Sequence, residues 1–231
     1  PNATLIEEKP LLASKDVDRA YPQFSPDGKE IAFIEGRNKL MVYNCESKKV
    51  RQVTDGSTWY TMAGGFDYSW SPDGKWFTLT FIGNRHDPYS DIGLVSADGK
   101  GEIINLTNSG YASGSPRWAM DGNAILFTTE RYGMRNHASW GSLDDVMMVF
   151  LNQDAYDKFR LSKEDYELQK ELEKEQAKAA EKEKAKEDKK DKKGDKKKDD
   201  KKDDKDKKEK LITVELEGIE DRIVRLTPNS S

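Results

Sequence analysis

A short aromatic-and-turn pattern recurs three times and limits what the chain can fold into. Tyr21-Pro22-Gln23-Phe24-Ser25-Pro26-Asp27-Gly28-Lys29 is followed by Tyr68-Ser69-Trp70-Ser71-Pro72-Asp73-Gly74-Lys75 and by Pro116-Arg117-Trp118-Ala119-Met120-Asp121-Gly122-Asn123. The aromatic falls at Phe24, Trp70 and Trp118, 46 and 48 residues apart. Ser-Pro-Asp-Gly is a hairpin turn with a mechanism: Pro presets φ, Asp bonds its own backbone, and Gly accepts the positive φ at the exit. The third copy drops Ser-Pro but keeps Asp121-Gly122, the part that the φ argument most requires.

After each turn comes a β-rich run: Glu30–Ile34, Trp76–Phe81 and Ala124–Thr129. Third strands are predicted at Lys39–Tyr43, Asp91–Val95 and Asp145–Phe150. Outer strands are predicted at Val50–Thr54, Ile103–Thr107 and, after a long interruption, Arg222–Thr227. A four-strand unit repeating every 40 to 50 residues or so is a β-propeller blade. The expectation is an all-β partial propeller divided as 1–14 (outer strand of a preceding blade), 15–56, 57–110, then 111–152 with 211–231 as an interrupted blade, and 153–210 as an insertion. Closed propellers take about four to eight blades. Three blades and a leading strand do not close, and Pro1-Asn2-Ala3-Thr4 does not begin with Met, so a segment of a longer protein is expected. A β-sandwich is the alternative, against which the three aligned cassettes argue.

The insertion changes character twice. Ser162-Lys163-Glu164-Asp165 reads as a capping box that opens a helix, with pairs such as Glu171–Lys174 and Glu175–Lys178 supporting its exposed face. From about Glu181 to Lys210 the chain is nearly all Lys, Asp and Glu, and is expected to be a solvated polyampholyte without fixed structure. A partner-binding or calcium-buffering arm is one reading. A spacer extruded from the rim is the plainer one, because interleaved charges cancel any strong field, and the aspartates lack the spacing of an EF-hand loop.

Several chemistries are disfavoured by composition. Net charge is −4, with acids and bases interleaved, which does not suit a phosphate backbone. One cysteine, Cys45, and two histidines are too few for a disulfide within the chain or a Cys/His zinc site, so neither metal nor cofactor is expected. No apolar run reaches the roughly 18 residues of a membrane span. Hydrolysis by a Ser/His/acid set has only His86 and His137 to use, and no Gly-x-Ser-x-Gly elbow is present. Asp27, Asp73 and Asp121 occupy equivalent turns with Gly28, Gly74 and Gly122, which makes them structural and gives them no reason to converge as a glycosidase pair. The candidate contact loop is Arg131–Ser142, with Arg131, Arg135, His137 and Trp140 facing a peptide or partner; the competing role for His137 and Trp140 is packing between blades.

The Ser-Pro-Asp-Gly-Lys cassette resembles the repeat shared by TolB, the prolyl oligopeptidase and dipeptidyl peptidase propellers, and tricorn proteases. Two further segments, Arg131–Ser142 with Asp144-Asp145-Val146, and Leu216–Leu226, resemble tricorn protease and its bacterial homologues in particular. That resemblance implies a non-catalytic propeller inside a serine peptidase, admitting or filtering peptides and positioning a PDZ-like and peptidase portion of the same polypeptide, which is hydrolytic as a whole and a candidate homo-oligomer. None of the family's catalytic motifs occurs here, so no catalytic residue carries over. The alternatives are a TolB-like interaction propeller without a peptidase and, third, the propeller of a prolyl oligopeptidase-type enzyme. The resemblance leaves cytoplasm and periplasm both open.

Overall fold

The computed structural model describes residues 9–57, 59, 65–83, 89–134, 142–191 and 211–230. They form three four-stranded antiparallel sheets, each laid down in chain order. Blade 1 contains β1 (Arg19–Phe24), β2 (Glu30–Glu35), β3 (Lys39–Asn44) and β4 (Val50–Gln52). Blade 2 contains β5 (Tyr68–Trp70), β6 (Trp76–Phe81), β7 (Asp91–Ser96) and β8 (Ile104–Asn105). Blade 3 contains β9 (Ser113–Ala119), β10 (Ala124–Thr129), β11 (Asp145–Phe150) and, beyond the insertion, β12 (Ile223–Arg225). The registers Met147↔Arg225 and Val149↔Ile223 show that the insertion interrupts a blade whose outer strand then completes it.

Period-two alternation makes the blades stack. Ala32 and Ile34 of β2 face Trp70, Phe77 and Leu79 of blade 2 in one core, while Phe33 turns to the other face with Met41 and Tyr43. A second core joins Ile92, Leu94 and Leu106 of blade 2 to Ile125, Phe127, Met147 and Val149 of blade 3. Phe77 and Phe150 are fully buried, each contributing about 1.5–3 kcal/mol by transfer. The repeating aromatic ties neighbours together: Trp70 Nε1 donates to Gln23 O at 3.3 Å, and Trp118 Nε1 to Ser69 O at 3.2 Å. Phe24, which follows no blade among the described residues, is 67% exposed.

A second clip also repeats. Thr54, Thr107 and Thr227 at the ends of the outer strands accept the N–H of Leu40, Ile92 and Val146 at 2.9, 3.1 and 3.2 Å. At the third of these positions Asp145 is buried and takes hydrogen bonds from Arg225, Thr227 and Ser230. Burial alone raises its carboxyl, but the donors outweigh it, and the net direction is downward.

Of the segment 1–14 expected as the outer strand of a preceding blade, residues 9–14 are described; they are bend and coil beside the three sheets, with Leu12 packed against Phe33, Met41 and Tyr43. Two expectations need correction. The charged helix continues past Glu181: α1 spans Gln153–Arg160 and α2 spans Lys163–Asp191, because the run is Lys, Glu and Ala-rich with neither Gly nor Pro before Gly194. Residues 192–210 of the expected polyampholyte lie outside the described residues. Finally, the Asp121 turn is not a copy of the other two: Met120, Asp121 and Gly122 all have positive φ (50°, 54° and 88°). The Ser162 cap is present, its hydroxyl accepting Asp165 N–H at 3.1 Å and donating to the Asp165 carboxylate at 2.7 Å.

Candidate peptide-facing groove

The first strands of blades 1 and 3 carry the same irregularity. In β1 the register shifts between Ala20 and Gln23, and in β9 it shifts opposite Leu126–Thr128. At those shifts Tyr21 and Ser115 have φ of 55° and 52°. Each precedes a proline, Pro22 or Pro116, a position that disfavours such a conformation. Strain of this kind persists only where the surroundings hold it, and it concentrates at ligand sites.

The supports are visible. The Tyr68 hydroxyl donates to Tyr21 O, Gln23 Nε2 donates to Tyr68 O at 3.0 Å, and Arg117 Nη1 donates to Pro116 O at 2.8 Å. Gly65 (φ +123°) admits the Tyr21 ring, since a Cβ there would meet Tyr21 Cε2 at 3.0 Å. Burial pushes the Tyr68 phenol well above its ordinary value, so this hydroxyl stays a donor at any physiological pH.

Together the bulges border a groove of about 630 Å³ that crosses the first strands of all three blades, with Tyr21, Trp59, Tyr68, Thr80, Ser115 and Arg117 on its walls. Thr80 Oγ1 is buried there with no hydrogen-bond partner among the described residues, an unmet polar group of the kind that a ligand or water satisfies. Aromatic faces, backbone carbonyls, hydroxyls and one guanidinium suit an extended polypeptide.

The sequence pointed elsewhere. Of its four candidate contact residues only Arg131 is described; its guanidinium lies 5.3 Å from the Tyr132 ring centroid, while Arg225 lies 5.2 Å from the same ring. Arg135, His137 and Trp140, with His86, lie outside the described residues. The turn residues sit at the far end of the hairpins from the bulges. Ser25 Oγ donates to Asp27 Oδ1 at 2.7 Å, Lys29 N–H donates to the same oxygen at 3.1 Å, and Ser25 Oγ accepts Glu30 N–H at 2.9 Å. Asp73 repeats this with Ser71, Lys75 and Trp76 at 2.6, 3.1 and 2.9 Å. Among the described residues no group of three or more His, Cys, Asp and Glu is arranged to hold a metal ion. The groove residues Tyr21, Tyr68, Thr80 and Arg117 were missed; the Tyr21-Pro22 and Ser115-Pro116 steps before the first and third repeat aromatics were their only sequence signal.

No protein-family model matches the chain. It is 30% identical over 133 residues to the uncharacterized peptidase YuxL of Bacillus subtilis, covering 52% of this chain and 19% of that protein. It is 29% identical over 108 residues to a tricorn-like protease C-terminal subunit of Sulfurisphaera tokodaii, covering 47% of this chain and 12% of the relative. The chain is similar to the propeller portion of a tricorn-like protease. Among solved structures, the tricorn protease aligns with a TM-score of 0.45 and 14% identity, over 58% of this chain and 14% of that one. The chain thus spans less than a fifth of either relative.

Proposed function

We propose that this chain is a non-catalytic propeller segment of a tricorn-like serine peptidase, in which the first-strand groove filters peptides on their way to a peptidase core that the blades also scaffold. The observation that supports it is the pair of strained pre-proline bulges at Tyr21 and Ser115, the first buttressed by Tyr68 and the second by Arg117, bordering one open groove. Rigid blades hold such a surface in shape, and strain retained there serves recognition rather than stability. The relatives supply the peptidase context. In this reading Arg131, Arg135, His137 and Trp140 are further candidate contacts for the peptide.

The test uses the full-length protein that contains this chain, assayed on fluorogenic peptides of increasing length. Arg117→Ala and Thr80→Val are expected to change KM for long peptides several-fold while leaving kcat for the shortest substrate intact. Cleavage by the 231-residue chain alone overturns the reading and sends attention to His86 and His137. Binding of peptides by a full-length protein that cleaves none of them is the outcome for a TolB-like interaction propeller.

A further inference from the structure

The turn face, at the opposite end of the hairpins, holds two equivalent grooves, one of which contains its own occupant. Between blades 2 and 3 the chain returning from the insertion crosses the turns. Ile212 N–H donates to Asp73 Oδ2 at 2.9 Å, and the Ile212 side chain lies on Gly122, where a Cβ would meet its Cδ1 at 2.4 Å and Pro72 Cδ at 3.4 Å. Asp73 therefore divides its labour: Oδ1 closes the turn through Ser71 and Lys75, and Oδ2 holds an extended chain.

Between blades 1 and 2 nearly every part recurs, with no occupant among the described residues. Asp27 Oδ1 closes its turn in the same way, while among the described residues its Oδ2 has only Lys29 Nζ, at 3.8 Å. Gly74 stands where Gly122 does, and a Cβ there would meet only Pro26 Cδ, at 3.7 Å. A cavity of about 680 Å³ opens between them, lined by Pro26, Asp27, Glu30, Asn44, Gly74 and Lys75 among others. The floor differs most at one position. Glu30 replaces Trp76, and its carboxylate is already held by Arg51 at 2.5 Å and Asn44 at 3.2 Å, so it presents a neutralised polar surface and not a free charge.

We propose that this groove docks an extended segment of a partner polypeptide, anchored by a backbone N–H on Asp27 Oδ2 and by an aliphatic or threonine side chain laid over Gly74 against Pro26. The bond is charge-assisted and main-chain directed, which fits recognition of an extended strand with one side-chain pocket. The site is independent of the first-strand groove and does not rest on its function.

The probe is a fluorescein-labelled heptapeptide with the return sequence Leu-Ile-Thr-Val-Glu-Leu-Glu, titrated by anisotropy against the full chain. Asp27→Asn keeps the Oδ1 acceptor that closes the turn but replaces Oδ2 with a donor. It is expected to weaken binding roughly ten- to a hundredfold, the loss for one hydrogen bond to a charged group. Asp98→Asn is the control, because Asp98 closes a similar turn with Ser96 and Lys100 at 2.8 and 3.0 Å but does not line the groove; it should bind as the wild type does. No binding to the wild-type chain, equal binding to Asp27→Asn, or equal loss in both variants overturns the proposal.

Discussion

The first two repeat turns and the third solve one geometric problem by different means. At Asp27 and Asp73 a serine hydroxyl and a carboxylate clasp the turn from inside, with only the glycine, Gly28 or Gly74, in the left-handed region. At Asp121 the serine is Ala119 and the proline is Met120, so no hydroxyl is available and three successive residues take positive φ. What holds the third turn lies outside it: Asn123 N–H and Nδ2 both donate to Met120 O, at 3.1 and 2.8 Å, and Ile212 packs on Gly122. A local clasp has been exchanged for a contact with a segment 90 residues away in sequence. The two designs should therefore fail differently.

The largest effect is expected at Gly122→Ala. Its new Cβ carries both the left-handed penalty and a clash with Ile212, and a loss of about 3 kcal/mol or more follows. Gly28→Ala has the same φ problem but nothing within 4 Å, so about 1 kcal/mol is expected. Urea unfolding of the two variants measures the difference; equal losses would mean that Ile212 does not brace the third turn. Next in size is Ser71→Ala. Ser71 is buried, donates to Asp73 and accepts Trp76 N–H, and about 2 kcal/mol should be lost with these two bonds.

Acid exposes the clasp in another way. The Ser25 hydroxyl first, and then Lys29 N–H, hold the Asp27 carboxyl below its ordinary value of 3.8. A depressed folded-state pKa means that the contribution is complete above the unfolded value and is lost as pH falls from about 3.8 through the folded value. Asp27 is more than half exposed, so solvent screens the effect and it should be small. Ser25→Ala is expected to flatten the acid limb of a stability-versus-pH curve; an unchanged limb would remove the hydroxyl as the cause.

These differences mark where sequence reasoning reaches. The strands, their order and the late return of the outer strand at Ile223–Arg225 were legible because period-two burial and turn chemistry are local signals. The Asp73–Ile212 bond joins residues 139 apart, and nothing in either neighbourhood announces it. The Tyr21 and Ser115 bulges had a faint signal in the prolines that follow them, but a proline alone does not say that the residue before it turns left-handed. In α2 helix propensity carried the backbone further than the loss of an apolar face suggested.

The smallest expected effect probes the comparison from the opposite side. Met120 has φ 50° and is 42% exposed, so truncating it loses part of its burial, and Met120→Ala, which loses the same contacts, is the reference. Relative to alanine, Met120→Gly relieves the left-handed strain, which costs about 1 kcal/mol for a residue with a Cβ, while glycine adds freedom to the unfolded chain. The two oppose, and a net stabilisation of about 0.5 kcal/mol over Met120→Ala is expected. Combining it with Ile212→Ala tells the two designs apart. If Ile212 is what forces the third turn into its present shape, the gain from glycine shrinks once the isoleucine is gone, because Met120 is then free to relax. If the gain is the same in both backgrounds, the strain belongs to the Met-Asp-Gly sequence itself and the returning chain merely rests on it.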